Sequence, residues 1–298
     1  MEYNHIEKKK EFYKIKEPLR EFLRNHSRLA ILPLTYVDLL TFEQSIPLLD
    51  KDENDTLWRS VLYSRHEMER LYEGLIEVYE ALNFDGTKIP YLKVGSIDFC
   101  TFGNSQPFRV KIVNELNDNH DYFYVKRADA SRVYGLELED IFSPDKLNYL
   151  VHKETLIEGH VVGIPCDEFL NKNKNHKVEN RMRLAKEFVL FNERCFSKLL
   201  GDMRAYNFVV EIIQDFDNVQ YRLRPMDFDQ QCFEGRKNMY LPQFYKDNIQ
   251  LVELASELLK HETVQQYQRQ EKVAMKKRFL SAKYRTKSLL STLKTDQI

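Results

Sequence analysis

Glycine and proline are scarce in this chain, nine of each in 298 residues, and neither gathers into a flexible linker or a repeat at solenoid periods. A compact, helix-rich chain is the expectation. The four cysteines, Cys100, Cys166, Cys195 and Cys232, lie far apart and make no C-x-x-C pair, which argues against a disulfide framework and a thiolate zinc site and fits a reducing compartment. They read as buried thiols. Net charge is also missing: 45 lysines and arginines stand against 46 acids, so no global field favours nucleic acid or an anionic membrane. Nucleic acid is not an expected partner. No apolar run is long enough to span a bilayer, and the first residues, with Glu2, His5, Glu7 and Lys8-Lys9-Lys10, lack an apolar signal core. A cytoplasmic protein without a transmembrane segment is expected. Several signatures are absent as well: no G-x-S-x-G elbow, no Walker motif, no dinucleotide G-x-G-x-x-G, and no H-x-E with P-C-x-x-C. His66-Glu67 does not start a zincin motif, because position 70 is Arg70.

What is present changes character along the chain. Residues 1–30 carry Phe12, Tyr13, Ile15, Leu19, Phe22 and Leu23 at roughly helical spacing, interrupted near Pro18. Residues 51–55 read as a charged turn whose Asp55, or Thr56 after it, caps a long helix over 56–82 with Trp58, Val61, Leu62, Leu71, Leu75, Val78 and Leu82 on its stripe. From about Pro90 the pattern turns strand-like. Residues 91–102, 108–113 and 122–127 are short β-prone runs divided by Gly103-Asn104-Ser105 and Asn117-Asp118-Asn119-His120, which predicts a small antiparallel sheet. Lys126 lies near the end of the third run and either faces solvent or leans over the sheet; Glu137 and Glu139 follow on the next element. Residues 143–150 predict a short helix, residues 154–165 a strand entering a Gly/Pro turn, and the polar stretch 171–175 a lobe boundary. Residues 181–200 form an amphipathic helix with Leu184, Phe188, Phe191, Cys195 and Leu199 on one face, and residues 244–261 a second helix. Residues 272–294 alternate basic with apolar side chains, the pattern of a docked terminal helix or of a surface for RNA, a membrane or a partner. The organisation expected is a helical extension (1–89), a β-rich lobe (90–170) and a helical lobe (171–298).

The stretch 199–231 is where side chains suited to chemistry gather. Asp202 is followed five residues on by Asn207, then by the apolar strand Phe208-Val209-Val210-Glu211-Ile212-Ile213, a polar turn, and a returning strand that ends at Asp227-Phe228-Asp229. A hairpin of this kind places Asp227 near Asn207, and both are oxygen donors suited to a hard cation.

With Val125-Lys126 on a third strand, the loop Gly201-Asp202-Met203-Arg204-Ala205-Tyr206-Asn207, and Asp227-Phe228-Asp229 after a hairpin, the sequence resembles the protein kinase-like superfamily, in its atypical and small-molecule-kinase branches. The resemblance covers about residues 91–250. It implies an α+β, two-lobed fold with a small antiparallel sheet lobe and a helical lobe. It implies ATP and Mg²⁺ as cofactors, with Lys126 on the nucleotide phosphates, Glu137 or Glu139 as its acidic partner, and Asp202 orienting or deprotonating an acceptor hydroxyl. Asn207 and Asp227 would hold the metal, with Asp229 as a further ligand or a surface acid. The segment with Glu158 and His160 would be the hinge that holds adenine, and Gly103 the best candidate for a phosphate-covering turn. Three departures stand out: Leu200 replaces a histidine of the catalytic loop, Asp229 replaces the glycine of Asp-Phe-Gly, and no G-x-G-x-x-G lies near Gly103. The implied function is an ATP- and Mg-dependent phosphotransferase acting on a small molecule or a protein. The alternatives are a nucleotide- or partner-binding module without turnover, and a nucleic-acid or membrane adaptor using the basic C-terminal helix.

Overall fold

The computed structural model describes residues 11–102, 105–173, 180–215, 218–233 and 235–296. Helices α1 (Glu17–Asn25) and α2 (Tyr36–Leu39) precede strands β1 (Gln44–Leu49) and β2 (Asp55–Leu62). Helix α3 (Arg65–Phe84) leads to strands β3 (Leu92–Cys100), β4 (Phe108–Asn114) and β5 (His120–Arg127), then helix α4 (Ala130–Phe142). Strands β6 (Tyr149–His152), β7 (Thr155–Gly159) and β8 (Ile164–Pro165) follow, with helices α5 (Cys166–Lys172) and α6 (Arg181–Lys198) behind them. A hairpin of β9 (Phe208–Asp215) and β10 (Asn218–Pro225) precedes helices α7 (Ile249–Leu258), α8 (His261–Ser281) and α9 (Lys283–Asp296). Among the described residues no helix is long and apolar enough to cross a membrane.

The chain is an α+β protein that divides into two compact units, residues up to 130 together with 148–160, and residues 131–147 together with those from 161 onward. The first unit is built on a seven-stranded sheet in the order β1-β2-β3-β4-β5-β7-β6, with every paired neighbour antiparallel. One face carries Ile97, Phe108, Val110, Phe123, Val125 and Ile157, and these pack with Leu71, Leu75 and Val78 of α3 into a buried core. Alternation along each strand therefore sends the intervening residues to the opposite face.

Two expectations are corrected here. Residues 55–62 form a strand, and the long helix begins only at Arg65, capped by Ser64, whose hydroxyl accepts from the Glu67 backbone N–H at 3.3 Å. The reason is local. Asp50 accepts from the backbone N–H groups of Asp52 and Asn54 at 2.8 and 2.9 Å and closes a tight turn, so β1 and β2 pair as a hairpin and extend the sheet at its edge. Pro47 is tolerated because β1 is an edge strand. Residues 1–89 are thus not a purely helical extension. The short helix expected over 143–150 is likewise absent: β6 starts at Tyr149 and pairs with β7.

In the second unit, β8 joins the β9–β10 hairpin as a three-stranded sheet, beside the helices α4 to α9. Gly163, just before β8, has φ +151°, and a Cβ there would lie 2.7 Å from Val209 Cγ2, so only glycine fits the turn between β7 and β8. The basic C-terminal segment is two helices rather than one. Arg278 of α8 binds the Phe142 carbonyl and Glu271 at 2.9 Å each, and Arg285 of α9 reaches Glu137 and Asp140 on α4, so part of its basic character is used inside the unit.

Candidate functional site

Lys126 lies on β5, and its side chain stands on the sheet face opposite the α3 core. It is 9% exposed and donates to Glu158 Oε2 at 2.7 Å. A solvent-facing lysine is therefore ruled out, and the carboxylate that meets the ammonium within the first unit is Glu158. Strand register explains the pairing: Glu158 sits opposite Tyr124 on β7, two residues along the same face from Lys126, within reach of an extended ammonium. Glu139 instead meets Lys198 of α6, which also donates to Ser143 Oγ at 2.8 Å, and Glu137 takes the Arg285 guanidinium.

The register also shows what surrounds Lys126. Asp98, Arg109, Tyr124 and Glu158 are consecutive cross-strand neighbours on β3, β4, β5 and β7 and share one face. Arg109 bonds Asp98 through Nε at 3.2 Å and Nη2 at 2.8 Å, and its guanidinium lies 4.6 Å from the ring centre of Trp58. The Lys126 ammonium is 5.4 Å from the Tyr124 ring centre. Tyr124 Oη and His160 Nδ1 are hydrogen-bonded at 3.2 Å. Burial pushes the Tyr124 phenol up to about 12, with Arg109 opposing and Glu158 adding, so it stays protonated in the physiological range. The result is a face on which aromatic rings surround two ion pairs, Arg109–Asp98 and Lys126–Glu158, opposite the apolar core face. Gly103 lies outside the described residues.

The second cluster is held by the loop after α6. Leu199 ends the helix in the left-handed region at φ 56°, and Leu200 bridges antiparallel to Gln231, which fastens the loop to the segment after β10. Asp202, also left-handed at φ 54°, donates its backbone N–H to Tyr245 Oη at 3.0 Å and Met239 O at 3.2 Å. Asn248, fully buried, donates to Met203 O at 2.9 Å and Pro242 O at 2.7 Å, fixing the neighbouring peptide. The Asp202 carboxyl accepts from Arg204 Nε at 2.9 Å and remains partly open to solvent. Burial raises its pKa above the usual carboxylate range; Arg204 opposes the shift and Asp247 adds to it. A carboxylate with raised proton affinity is a better proton acceptor.

Asn207 serves this loop directly. Its Nδ2 donates to the Asp202 carbonyl at 2.7 Å, and its own carbonyl accepts from the Met226 N–H at 3.0 Å, so the hairpin returns the chain beside it. Asp227 and Asp229 follow. Their Oδ1 atoms lie 2.8 and 2.9 Å from Arg132 Nη1, and the Asp229 N–H donates to Asp227 Oδ1 at 3.1 Å. Arg132 projects from α4 with its side chain 2% exposed and also binds the Met226 carbonyl at 3.1 Å.

The structure thus brings Asp202 and Asn207 into one hydrogen-bonded loop and sets Asp227 and Asp229 on a single guanidinium. As arranged, the Oδ1 atoms of Asp227 and Asp229 that would bridge a divalent ion are held by Arg132, while Asn207 commits its amide nitrogen to the Asp202 carbonyl and the oxygen that a cation would use is the other atom of that amide. Among the described residues there is also no group of three or more His, Cys, Asp or Glu side chains suited to a metal. The sequence matches no protein-family model and no curated protein.

Sequence reasoning missed Arg132, Arg109 and Lys198. The signal for Arg132 and Lys198 was available in α4, where Arg132, Glu137, Glu139 and Asp140 interrupt an apolar helix; ionised groups on a buried helix require partners. Arg109 alternates with Phe108 and Val110, which marks the exposed face of a strand but not its role.

Proposed function

We propose that this chain is a nucleotide-binding protein of protein kinase-like architecture, with ATP as its nucleotide and Lys126 as the cation that holds phosphate. The observation that carries the reading is the buried Lys126–Glu158 pair on a sheet face bearing Arg109, Trp58 and Tyr124. An ammonium paired with a carboxylate in a partly dry, aromatic setting can exchange that contact for a phosphate oxygen, and the aromatic rings offer surfaces for stacking a base. Further support comes from topology: β3-β4-β5-β7-β6 is one antiparallel series, and a helix follows the lysine strand in the sequence. Glu158, as the partner of Lys126, goes with the phosphate in this reading, and His160, bonded to Tyr124, stays on the adenine side, whereas Glu139 is occupied by Lys198.

A second reading, phosphoryl transfer to a small-molecule or protein acceptor, is favoured by the Asp202 loop. Its carboxyl is positioned by Arg204, its backbone by Tyr245 and Asn248, and its proton affinity is raised. In that reading Asp202 orients an acceptor hydroxyl and takes its proton, a role that asks for placement more than for covalent chemistry. An adaptor acting through α8 and α9 has less support, because Arg278 and Arg285 are already engaged.

The test is thermal shift with ATP on the wild type and on Lys126→Met. A ligand at a hundred times its Kd stabilises by about 2.7 kcal/mol, a shift that Lys126→Met should abolish while its ligand-free melt remains cooperative. A wild type indifferent to ATP would count against nucleotide binding. For phosphoryl transfer, ATP turnover should disappear in Asp202→Ala with the ATP-induced shift retained; unchanged turnover would remove Asp202 from the chemistry.

A further inference from the structure

We infer that Arg132 is a built-in counter-cation occupying the point where a divalent ion would bridge Asp227 and Asp229, so that this acid pair is complete without metal. The argument begins with convergence. Two carboxylate oxygens from residues two apart lie 2.8 and 2.9 Å from one nitrogen, Arg132 Nη1, so both acids are aimed at a single point. The aim of Asp227 is fixed independently of the arginine by the Asp229 N–H, which donates to Asp227 Oδ1 at 3.1 Å and closes a turn around that carboxylate. A hard cation bridging two carboxylates needs that same point, with oxygen ligands at about 2.0–2.6 Å. It is filled by protein.

Three features make the arginine a fixture. Its side chain is 2% exposed, its second terminal nitrogen binds the Met226 carbonyl at 3.1 Å, and its guanidinium carbon lies 5.8 Å from the Phe228 ring centre. The helix that carries it is brought close by Gly135, one turn on, where a Cβ would lie 3.0 Å from Phe228 Cβ. Phe228 itself is fully buried between the two acids in the sequence. A planar guanidinium also gives N–H groups to acceptors, here the Met226 carbonyl, that a hydrated ion would leave to water. A divalent ion would have to expel Arg132 from a buried position where its charge is compensated, into one where it is not.

The role of the pair changes accordingly. Asp227 and Asp229 lock α4 to the end of the β9–β10 hairpin, and the charge that an ion would supply is supplied in cis and permanently. The inference does not depend on nucleotide binding, and its test uses none.

The full-length protein is titrated with Mn²⁺ and free ion is read by electron paramagnetic resonance, for the wild type, Arg132→Met and Arg132→Met/Asp227→Asn. The wild type should leave Mn²⁺ free; Arg132→Met should bind one equivalent at least roughly tenfold tighter, and the double variant should lose that gain. Circular dichroism establishes that each variant is folded. Should Arg132→Met fail to fold, Arg132→Gln, which keeps a donor for the Met226 carbonyl, carries the same comparison. Stoichiometric Mn²⁺ binding by the wild type that Asp227→Asn removes would overturn the inference. So would a folded arginine variant that gains no Mn²⁺ affinity, because Arg132 would then not be what keeps the ion out.

Discussion

Replacing Lys198 by methionine would separate a structural role for Glu139 from a nucleotide role. In the second unit the Lys198 ammonium meets Glu139 and donates to Ser143 Oγ at 2.8 Å, with side-chain exposures of 2% for the lysine and 7% for the glutamate. Lys198→Met keeps most of the side-chain volume and removes the charge, leaving a buried carboxylate without its ammonium. Removing one partner of a buried pair costs about 3–5 kcal/mol, against a total stability of about 5–15 kcal/mol for a folded protein. At about 2–4 °C per kcal/mol for a long chain, the melting temperature should fall by about 6–20 °C. Glu139→Leu/Lys198→Met removes both charges, and apolar replacement of a whole buried pair is neutral or favourable in comparable cases. The double variant should therefore recover most of the loss. Urea unfolding followed by far-ultraviolet circular dichroism reads the helix content to which α4 and α6 contribute, whereas the single tryptophan, Trp58, lies in the first unit and reports there. A single variant within about 1 kcal/mol of wild type, or a double variant no better than the single, would show that Glu139 is not held by Lys198. ATP response unchanged in a folded double variant would further remove Glu139 from nucleotide binding.

Two other expectations follow from the same unit. Gly135→Val would drive a branched side chain against Phe228 Cβ at 3.0 Å, Phe228 Cδ1 at 3.2 Å and Gln231 Cβ at 3.3 Å, neighbours that are buried and cannot yield cheaply. Overpacking of this kind costs about 1–3 kcal/mol, more than any gain in helix propensity over glycine, so the thermal midpoint should drop; an unchanged midpoint would mean that α4 shifts freely. The raised pKa of Asp202, caused first by burial and then adjusted by Arg204 and Asp247, fixes the sign of a pH effect. An acid with folded pKa above its unfolded value stabilises the fold while protonated, and that contribution is lost as pH rises through the folded value. Asp202→Asn, uncharged throughout, should melt at or above the wild-type temperature at neutral pH, with the gap closing as pH is lowered through the carboxylate range. A variant less stable at neutral pH, with no such convergence, would show that the charge is favoured by the fold.

Much of the framework was legible because local patterns and tertiary demands agreed. The alternation in residues 108–113 and 122–127 predicts strands, and β4 and β5 occupy them. The apolar spacing of Leu184, Phe188, Phe191 and Cys195 predicts α6 and its buried face, whereas Leu199, expected on that face, is the exposed C-cap. The hairpin that returns Asp227 toward Asn207 was readable from two apolar runs around a polar turn. Residues 55–62 failed because Trp58, Val61 and Leu62 also fit a helical stripe over a short window; the Asp50 turn and the Ser64 cap arbitrate between the two periods, and both act through individual hydrogen bonds.

Charged partners were far less legible. By itself the sequence determined the strands β4 and β5, the helix α6, the β9–β10 hairpin, and that Asp202, Asn207 and Asp227 share one loop-and-hairpin segment, since all of these depend on periodicity and turn chemistry over a few residues. The tertiary structure alone decided that Lys126 meets Glu158, Glu139 meets Lys198, and Arg132 stands between Asp227 and Asp229. Ionic attraction is indifferent to sequence separation, so among many acids and bases the pairing is chosen by which elements pack together and which charges that packing removes from water.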